Sequence, residues 1–141
     1  MVAAILVGGS AVASCVTASK QGVRLYEGAR GDGGAANLYG PIARVDGADV
    51  SGKGQAFEVR PACHVVTLSG EVGYYDSSGN GGSANVGERT FALDMRDGYS
   101  YMVERRTVQV DGSHVAIRTV VRAVSPDGSS SDLDQLLVRC P

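Results

Sequence analysis

Three cysteines and two histidines are the residues of this 141-residue sequence whose chemistry and spacing could build a site. Cys15 is distinguished by what precedes it. Residues 1–14 carry no charge, and an apolar run gives way to glycine, serine and alanine. The run is shorter than the roughly 20 residues that span a bilayer. Apolar residues followed by small ones are typical of a secretory signal, so we expect residues 1–14 to be a signal peptide.

The end of this segment, Val12-Ala13-Ser14-Cys15, resembles the lipobox of bacterial lipoproteins. The resemblance implies that the Cys15 thiol takes a diacylglycerol and becomes the mature N-terminus. Its acyl chains would then hold the protein on a membrane, since each buried CH2 contributes about 0.8 kcal/mol. Val16 follows where aspartate would retain a lipoprotein in the inner membrane, which implies the outer membrane, facing the periplasm.

The segment departs from the lipoprotein pattern because no basic residue precedes Lys20. We therefore expect basic residues to be encoded upstream of Met1. The alternative is a buried apolar N-terminal strand with an incidental cysteine. On the lipoprotein interpretation the mature chain has a lipidated tether over residues 15–22 and a single β domain over residues 23–141.

Cys63 and Cys140 remain if Cys15 is acylated. Two cysteines in an oxidising compartment are expected to form a disulfide. Closing so long a loop would constrain the unfolded chain by roughly 4 kcal/mol. The alternative is two free thiols, that of Cys63 buried and that of Cys140 in an unattached C-terminal segment.

The two histidines, His64 and His114, are too few for a zinc site, which needs three or four ligands. His64 follows the corner at Pro61, and we expect its ring to bond to the turn backbone, whereas His114 should face solvent. The sequence has no Gly-x-Ser-x-Gly elbow, and Gly31-Asp32-Gly33-Gly34 lacks the lysine and helix of a phosphate loop. The calcium spacing Asp-x-Asp-x-Asp-Gly is also absent. We predict no catalytic residue, no metal and no cofactor.

Short alternating segments separated by glycine-rich turns predict an all-β fold, a small antiparallel β-sandwich or partly open barrel. We expect residues 76–87 to form a mobile loop and residues 132–138 to form either one helical turn, the only helix expected, or a last strand. The predicted strands cover residues 23–26, 37–45, 57–59, 64–68, 72–75, 90–95, 99–110 and 113–124.

Asp111-Gly112 lies between the two longest predicted strands. Such a pair is typical of a two-residue hairpin turn in which both residues take a positive φ. On the first of these strands Arg105, Thr107 and Gln109 alternate with a second set, which is Met102, Arg106, Val108 and Val110. The alternation predicts a polar face carrying the first set and a mostly apolar face carrying the second.

Two further stretches carry a family resemblance. The Val45-Asp46-Gly47 turn and the Pro61-Ala62-Cys63-His64 corner resemble the PEGA-type bacterial surface domain, although that family has glycine at the position of Ala62. Phe91-x-Leu93 and Gly98-Tyr99-x-Tyr101 are similar to small proteobacterial envelope lipoproteins of uncharacterised role. The resemblance implies an all-β extracytoplasmic module and no reaction.

Aromatic residues offer one candidate contact surface. Tyr99, Tyr101, Arg105 and Arg106 lie close in sequence and could meet an envelope protein or a glycan. The alternative is that the tyrosine rings fill a core that has two phenylalanines and no tryptophan.

Charge and composition exclude one class of partner. Thirteen basic against fifteen acidic residues give a net charge of −2, which argues against a nucleic-acid binder. The function predicted is that of a lipid-anchored cell-envelope protein, not an enzyme, with a binding or structural role. The alternatives are a soluble secreted or periplasmic β-protein and a small extracytoplasmic hydrolase.

Overall fold

The computed structural model describes residues 22–29, 32–75, 78–112, 115–133 and 140. Residues 1–21, and with them Cys15 and the predicted signal peptide, lie outside this range, as does His114. The strands of the described residues are β1 (Val23–Arg24), β2 (Ala36–Tyr39), β3 (Ile42–Val45), β4 (Ala48–Asp49), β5 (Ala56–Val59), β6 (Cys63–Leu68), β7 (Glu71–Tyr75), β8 (Gly81–Asn85), β9 (Arg89–Asp94), β10 (Ser100–Gln109), β11 (Val115–Val124) and β12 (Ser130–Leu133).

The strands form two main sheets and one separate hairpin. Sheet A has the order β1-β5-β2-β10-β11-β12, sheet B has the order β4-β3-β6-β9, and β7 pairs with β8. The predicted all-β fold is confirmed. Most pairs are antiparallel as expected, but β1 runs parallel to β5 and β2 runs parallel to β10.

The hydrophobic core lies between sheets A and B. Both sheets contribute buried apolar side chains to a single cluster, as in a sandwich. Removing this surface from water is the main force that holds the sheets together. The largest fully buried side chains are Phe57, Leu38, Leu68, Leu93, Met95, Val50, Val59, Val66, Val103 and Val121.

Gly40 and Pro41 carry the chain from sheet A to sheet B, where sequence alternation predicted one continuous strand over residues 37–45. Gly40 has a φ of 144°, and a β-carbon there would collide with the carbonyl oxygen of Val103. Only glycine permits so close an approach of two backbones. The crossing places β2 and β3 in different sheets.

The two Asp-Gly pairs behave differently. Asp46 and Gly47 have φ values of 52° and 82°, and Val45 pairs with Ala48, so they form a two-residue turn between β3 and β4. The predicted β10–β11 hairpin is present, but Gln109 pairs with Val115 and neither Asp111 nor Gly112 has a positive φ. The two-residue turn predicted there is therefore wrong, and a longer connection joins these strands.

Two other local expectations need correction. Part of the predicted mobile loop is β8, which pairs with β7 from Glu71↔Asn85 to Tyr75↔Gly81. Backbone pairing explains this strand, because residues 81–85 bury no side chain and so carry no apolar alternation. At the C-terminus, Asp132 and Leu133 belong to β12, so the helical alternative fails for these two residues, and residues 134–139 lie outside the described range.

Over residues 101–106 of β10, the face that points into the sandwich is the reverse of the predicted one. Val103 is buried against sheet B together with Tyr101, and Arg105 lies partly buried on the same face, whereas Met102 is exposed. The apolar stem of an arginine can line a core while its guanidinium bonds to backbone carbonyls. Counting Arg105 as a surface residue because it is charged therefore gave the wrong face.

The sandwich has two ends that the site description needs. The disulfide end carries the Asp46–Gly47 turn, Arg60 and Cys63. The hairpin end carries Gly40, where β2 and β3 meet, and Glu71, where the β7–β8 hairpin begins. Loops lie at each end, and the strands that they connect hold them in position.

Candidate functional site

His64, at the disulfide end, bridges the Asp46 turn and the corner before Pro61. Its Nδ1 lies 2.6 Å from Asp46 Oδ2 and its Nε2 lies 2.7 Å from the carbonyl oxygen of Arg60. Both partners are hydrogen-bond acceptors, so each ring nitrogen lies opposite an acceptor oxygen. The bond to the backbone of the corner is the one predicted from sequence. The bond to Asp46 was not predicted.

Asp46 is bonded to β6 through its side chain as well as its backbone. Its Oδ1 accepts a hydrogen bond of 2.8 Å from the Val65 amide, and its own amide donates to the Val65 carbonyl oxygen. Burial opposes ionisation, but the hydrogen bonds from His64 and Val65 outweigh it and hold the pKa of Asp46 below its ordinary value. Asp46 is therefore a charged clamp between the turn and β6.

Arg60 organises the loop that follows β1. Its Nη1 donates to the carbonyl oxygen of Gly34 at 3.0 Å, and its Nη2 contacts the carbonyl oxygens of Glu27 and Ala29 at 3.4 and 3.3 Å. Its guanidinium also lies over the ring of Tyr26, 4.0 Å from the ring centre. A single planar side chain thus fixes both ends of the described loop.

Tyr26 extends the same network to a buried acid. Its hydroxyl donates to Oε1 of Glu58, a residue that is 6% exposed. This hydrogen bond and burial raise the pKa of Tyr26. Arg24 lies on the same ring, 5.4 Å from its centre, and donates to the Gly28 carbonyl oxygen. Two guanidinium groups therefore lie near the ring of Tyr26.

A cavity of about 440 Å³ lies beside these residues, lined by polar and charged groups that include Asp49 and Lys53. An Asp–His pair could serve as a general base if Nε2 faced a nucleophile. Here Nε2 faces a backbone carbonyl, and no serine, threonine or cysteine lines the described cavity. The contacts of Asp46 and His64 are therefore those of a rigid surface with charges of both signs, and they do not position His64 to transfer a proton to or from a nucleophile.

A second, more open groove of about 630 Å³ lies at the hairpin end. Tyr39, Pro41 and Met102 supply its apolar part, and Glu71 and Arg105 lie among its polar lining residues. The Nη1 atom of Arg105 donates to the carbonyl oxygens of Ser69 and Gly87 at 3.0 and 2.9 Å. Burial and the nearby Arg89 lower the pKa of Arg105. This arginine ties β10 to the base of the β7–β8 hairpin.

The predicted surface of Tyr99, Tyr101, Arg105 and Arg106 is not brought together. Tyr101 is 2% exposed, and its hydroxyl accepts a hydrogen bond from the Arg96 amide. Tyr99 packs against the core with its ring centre 6.1 Å from that of Tyr101. Arg106 is exposed and faces the opposite side of β10 from Arg105. The tyrosines fill the core, as the alternative interpretation expected.

The sulfur atoms of Cys63 and Cys140 are in disulfide contact, with their Cα atoms 5.5 Å apart across a sequence separation of 77 residues. The contact attaches the last part of the chain to the start of β6. Within the described ranges, no group of three or more histidine, cysteine, aspartate or glutamate residues could hold a metal ion.

Comparisons with family models, curated proteins and solved structures find no match for this chain. The described residues include no helix with the length and hydropathy that a membrane-spanning segment requires.

Sequence reasoning missed the network built on Arg60 and Tyr26. The two residues are 34 positions apart in a chain without a local motif linking them, and β1 meets β5 through parallel pairing that alternation does not specify. The one usable signal was the position of Arg60 directly before Pro61, at a corner where the chain must turn.

Proposed function

We propose that this protein is a lipid-anchored protein of the bacterial cell envelope whose β domain has a non-catalytic binding or structural role. The observation that carries the proposal is the sequence Val12-Ala13-Ser14-Cys15, followed by a domain whose two other cysteines are in disulfide contact. Disulfides form and persist in oxidising compartments such as the periplasm. Acylation of Cys15 would leave no thiol unpaired.

The geometry of the disulfide end supports a display role. His64 there contacts Asp46 and a backbone carbonyl, and Arg60 donates to backbone carbonyls. Such a network stabilises a fixed surface, and within the described residues of this end His64 Nε2 faces a backbone carbonyl and not a nucleophile. The resemblance to PEGA-type surface domains belongs to the same proposal, as does placement on the outer membrane facing the periplasm.

Mass spectrometry of the mature protein tests the anchor. We expect the full chain, expressed in a Gram-negative host with any upstream basic residues restored, to lose residues 1–14 and to carry acyl chains on Cys15. It should partition into the detergent phase of a cloud-point separation. Cys15→Ala should move it to the aqueous phase, whereas Ser14→Ala, which keeps a small residue before the cysteine, should not.

Two outcomes would overturn the anchor. A mature protein cleaved near Ser14, with a free Cys15 thiol and no acyl mass, would establish the soluble secreted alternative. A chain recovered from the cytosol with residues 1–14 intact would contradict export altogether.

A further inference from the structure

The strand registers place Gly22, the first described residue, at the end of sheet A beyond which the β10–β11 hairpin continues. Tyr39 pairs with both Ala56 and Met102, and Met102 pairs with Arg122, so these four residues form one row across the sheet. Gly22 lies against the backbone of Ala56, at the end of this row. From the row, β10 continues past the last residue of β2 in the direction from which the chain enters β1.

The part of the hairpin beyond this end is here called the arm, residues 104–109 and 115–120. It consists of six residue pairs, from Glu104↔Val120 to Gln109↔Val115, which neither β2 nor β12 extends. At a rise of about 3.3 Å per residue the arm is roughly 20 Å long. The seven residue steps from Cys15 to Gly22 reach at most about 25 Å when fully extended. A lipid on Cys15 would thus hold Gly22, near the base of the arm, within about 25 Å of the bilayer, a distance that the arm, roughly 20 Å long, nearly spans.

The chemistry of the arm suits a phospholipid surface. Arg106 and Arg118 are exposed and directly opposite each other. Like charges at such a pair destabilise a hairpin unless an anion offsets them. Glu104 pairs with Arg106 at 2.7 Å, whereas the Arg118 side chain makes no hydrogen bond or ion pair within the described part of the chain. Val110, just beyond the ladder, is 64% exposed.

We propose that the arm is a membrane-contact element: Arg106 and Arg118 meet lipid phosphates, and Val110 enters the boundary between headgroups and acyl chains. The inference rests on the proposed lipid anchor and adds an orientation to it. The disulfide end, with its charged cavity, then faces away from the bilayer and is the surface presented to the periplasm.

The chain contains no tryptophan, so one introduced tryptophan reports a single position. Val110→Trp places the probe at the arm tip. Val65→Trp places it on another exposed valine, 46% exposed and bonded through its backbone to Asp46 at the disulfide end. The lipidated full chain is reconstituted into phosphatidylglycerol–phosphatidylethanolamine vesicles, with or without bromine on the acyl chains.

We expect brominated lipid to reduce the Val110→Trp emission by roughly half and to leave Val65→Trp unchanged, because an interfacial side chain lies about 5–10 Å into the headgroup–acyl boundary. The Val110→Trp emission should also shift to shorter wavelength when vesicles are added.

Arg118→Glu, added to Val110→Trp, separates membrane contact from folding. It places an acid opposite Arg106, so the thermal unfolding midpoint in detergent should stay the same or rise. Quenching in anionic vesicles should nevertheless fall. A charge-independent contact would show equal quenching with and without the substitution and would contradict the role of the arginines.

Failure of the orientation and failure of the anchor are distinguishable. If the protein carries acyl chains and floats with the vesicles, yet Val110→Trp is no more quenched than Val65→Trp, the arm does not touch the membrane and the inference is wrong. If no acyl chain is found and the protein does not float with vesicles, the anchor itself is wrong.

Discussion

A single carboxylate at the disulfide end holds a turn, a strand and a corner together. Asp46 accepts a hydrogen bond from the Val65 amide through one carboxylate oxygen and contacts His64 Nδ1 through the other. The other ring nitrogen of His64 is hydrogen-bonded to the Arg60 carbonyl oxygen. Asp46 was recognised from sequence as a turn residue. Its second role depends on the antiparallel pairing of β3 with β6, which no local pattern encodes.

Asp46→Asn should lower the free energy of unfolding at neutral pH by about 1 kcal/mol, since the carboxylate is half-exposed and such pairs are weak. The pKa of Asp46 is lowered on folding, so its stabilisation is present above the ordinary value of 3.8 and is lost as the pH falls through the folded pKa. The urea midpoint of the unsubstituted protein should therefore fall more steeply below about pH 4 than that of the variant.

Asp94→Asn is the matched control, because Asp94 is an exposed aspartate at the end of β9. Its acid dependence should follow that of the unsubstituted protein. If Asp46→Asn and Asp94→Asn gave superimposable pH profiles, Asp46 would not be the clamp described.

At the scale of elements, two identical dipeptides adopt different turns. Asp46-Gly47 closes two strands directly, whereas Asp111-Gly112 lies within a longer connection. A residue pattern states which turns are available to a chain. The register of the flanking strands, which the rest of the sheet determines, decides which of them is used.

Gly47→Ala should destabilise the protein by about 1 kcal/mol, because its φ of 82° is unfavourable for a residue with a side chain and no packing compensates. Gly112→Ala should be neutral or slightly stabilising, since Gly112 has no positive φ and a β-carbon there would meet nothing within 4 Å. Chemical denaturation of both variants measures the difference. Equal losses of stability would contradict the assignment of the two turns.

For the whole molecule, the Cys63–Cys140 contact joins the C-terminal end of the chain to the middle of the sequence. The core between the sheets is built largely from valine and leucine, with one phenylalanine. A covalent link across 77 residues restricts the unfolded chain and so adds to the stability that burial provides.

Cys140→Ser should lower the free energy of unfolding by about 2–5 kcal/mol, and reduction of the unsubstituted protein should do the same. Calorimetry with and without reductant checks both, and Cys15→Ser, which leaves the pair intact, is the control. Titration of the mature, unreduced protein under denaturing conditions should find no free thiol. Two free thiols, or a midpoint insensitive to reductant, would show that no disulfide forms.

The sequence by itself determined the fold class and most strand positions, because each follows from local alternation and turn chemistry. It predicted the pairing of Cys63 with Cys140 on the condition that Cys15 is acylated, and the contact between their sulfur atoms is seen in the structure. It also carries the whole basis for predicting an anchor at Cys15. Only the tertiary structure decided that Tyr101 lies in the core, that His64 joins Asp46 to Arg60, and that the arm continues past the end of sheet A at which Gly22 lies. Each of these features depends on the register between strands that are distant in sequence. That register is selected by the apolar side chains that it buries between the two sheets.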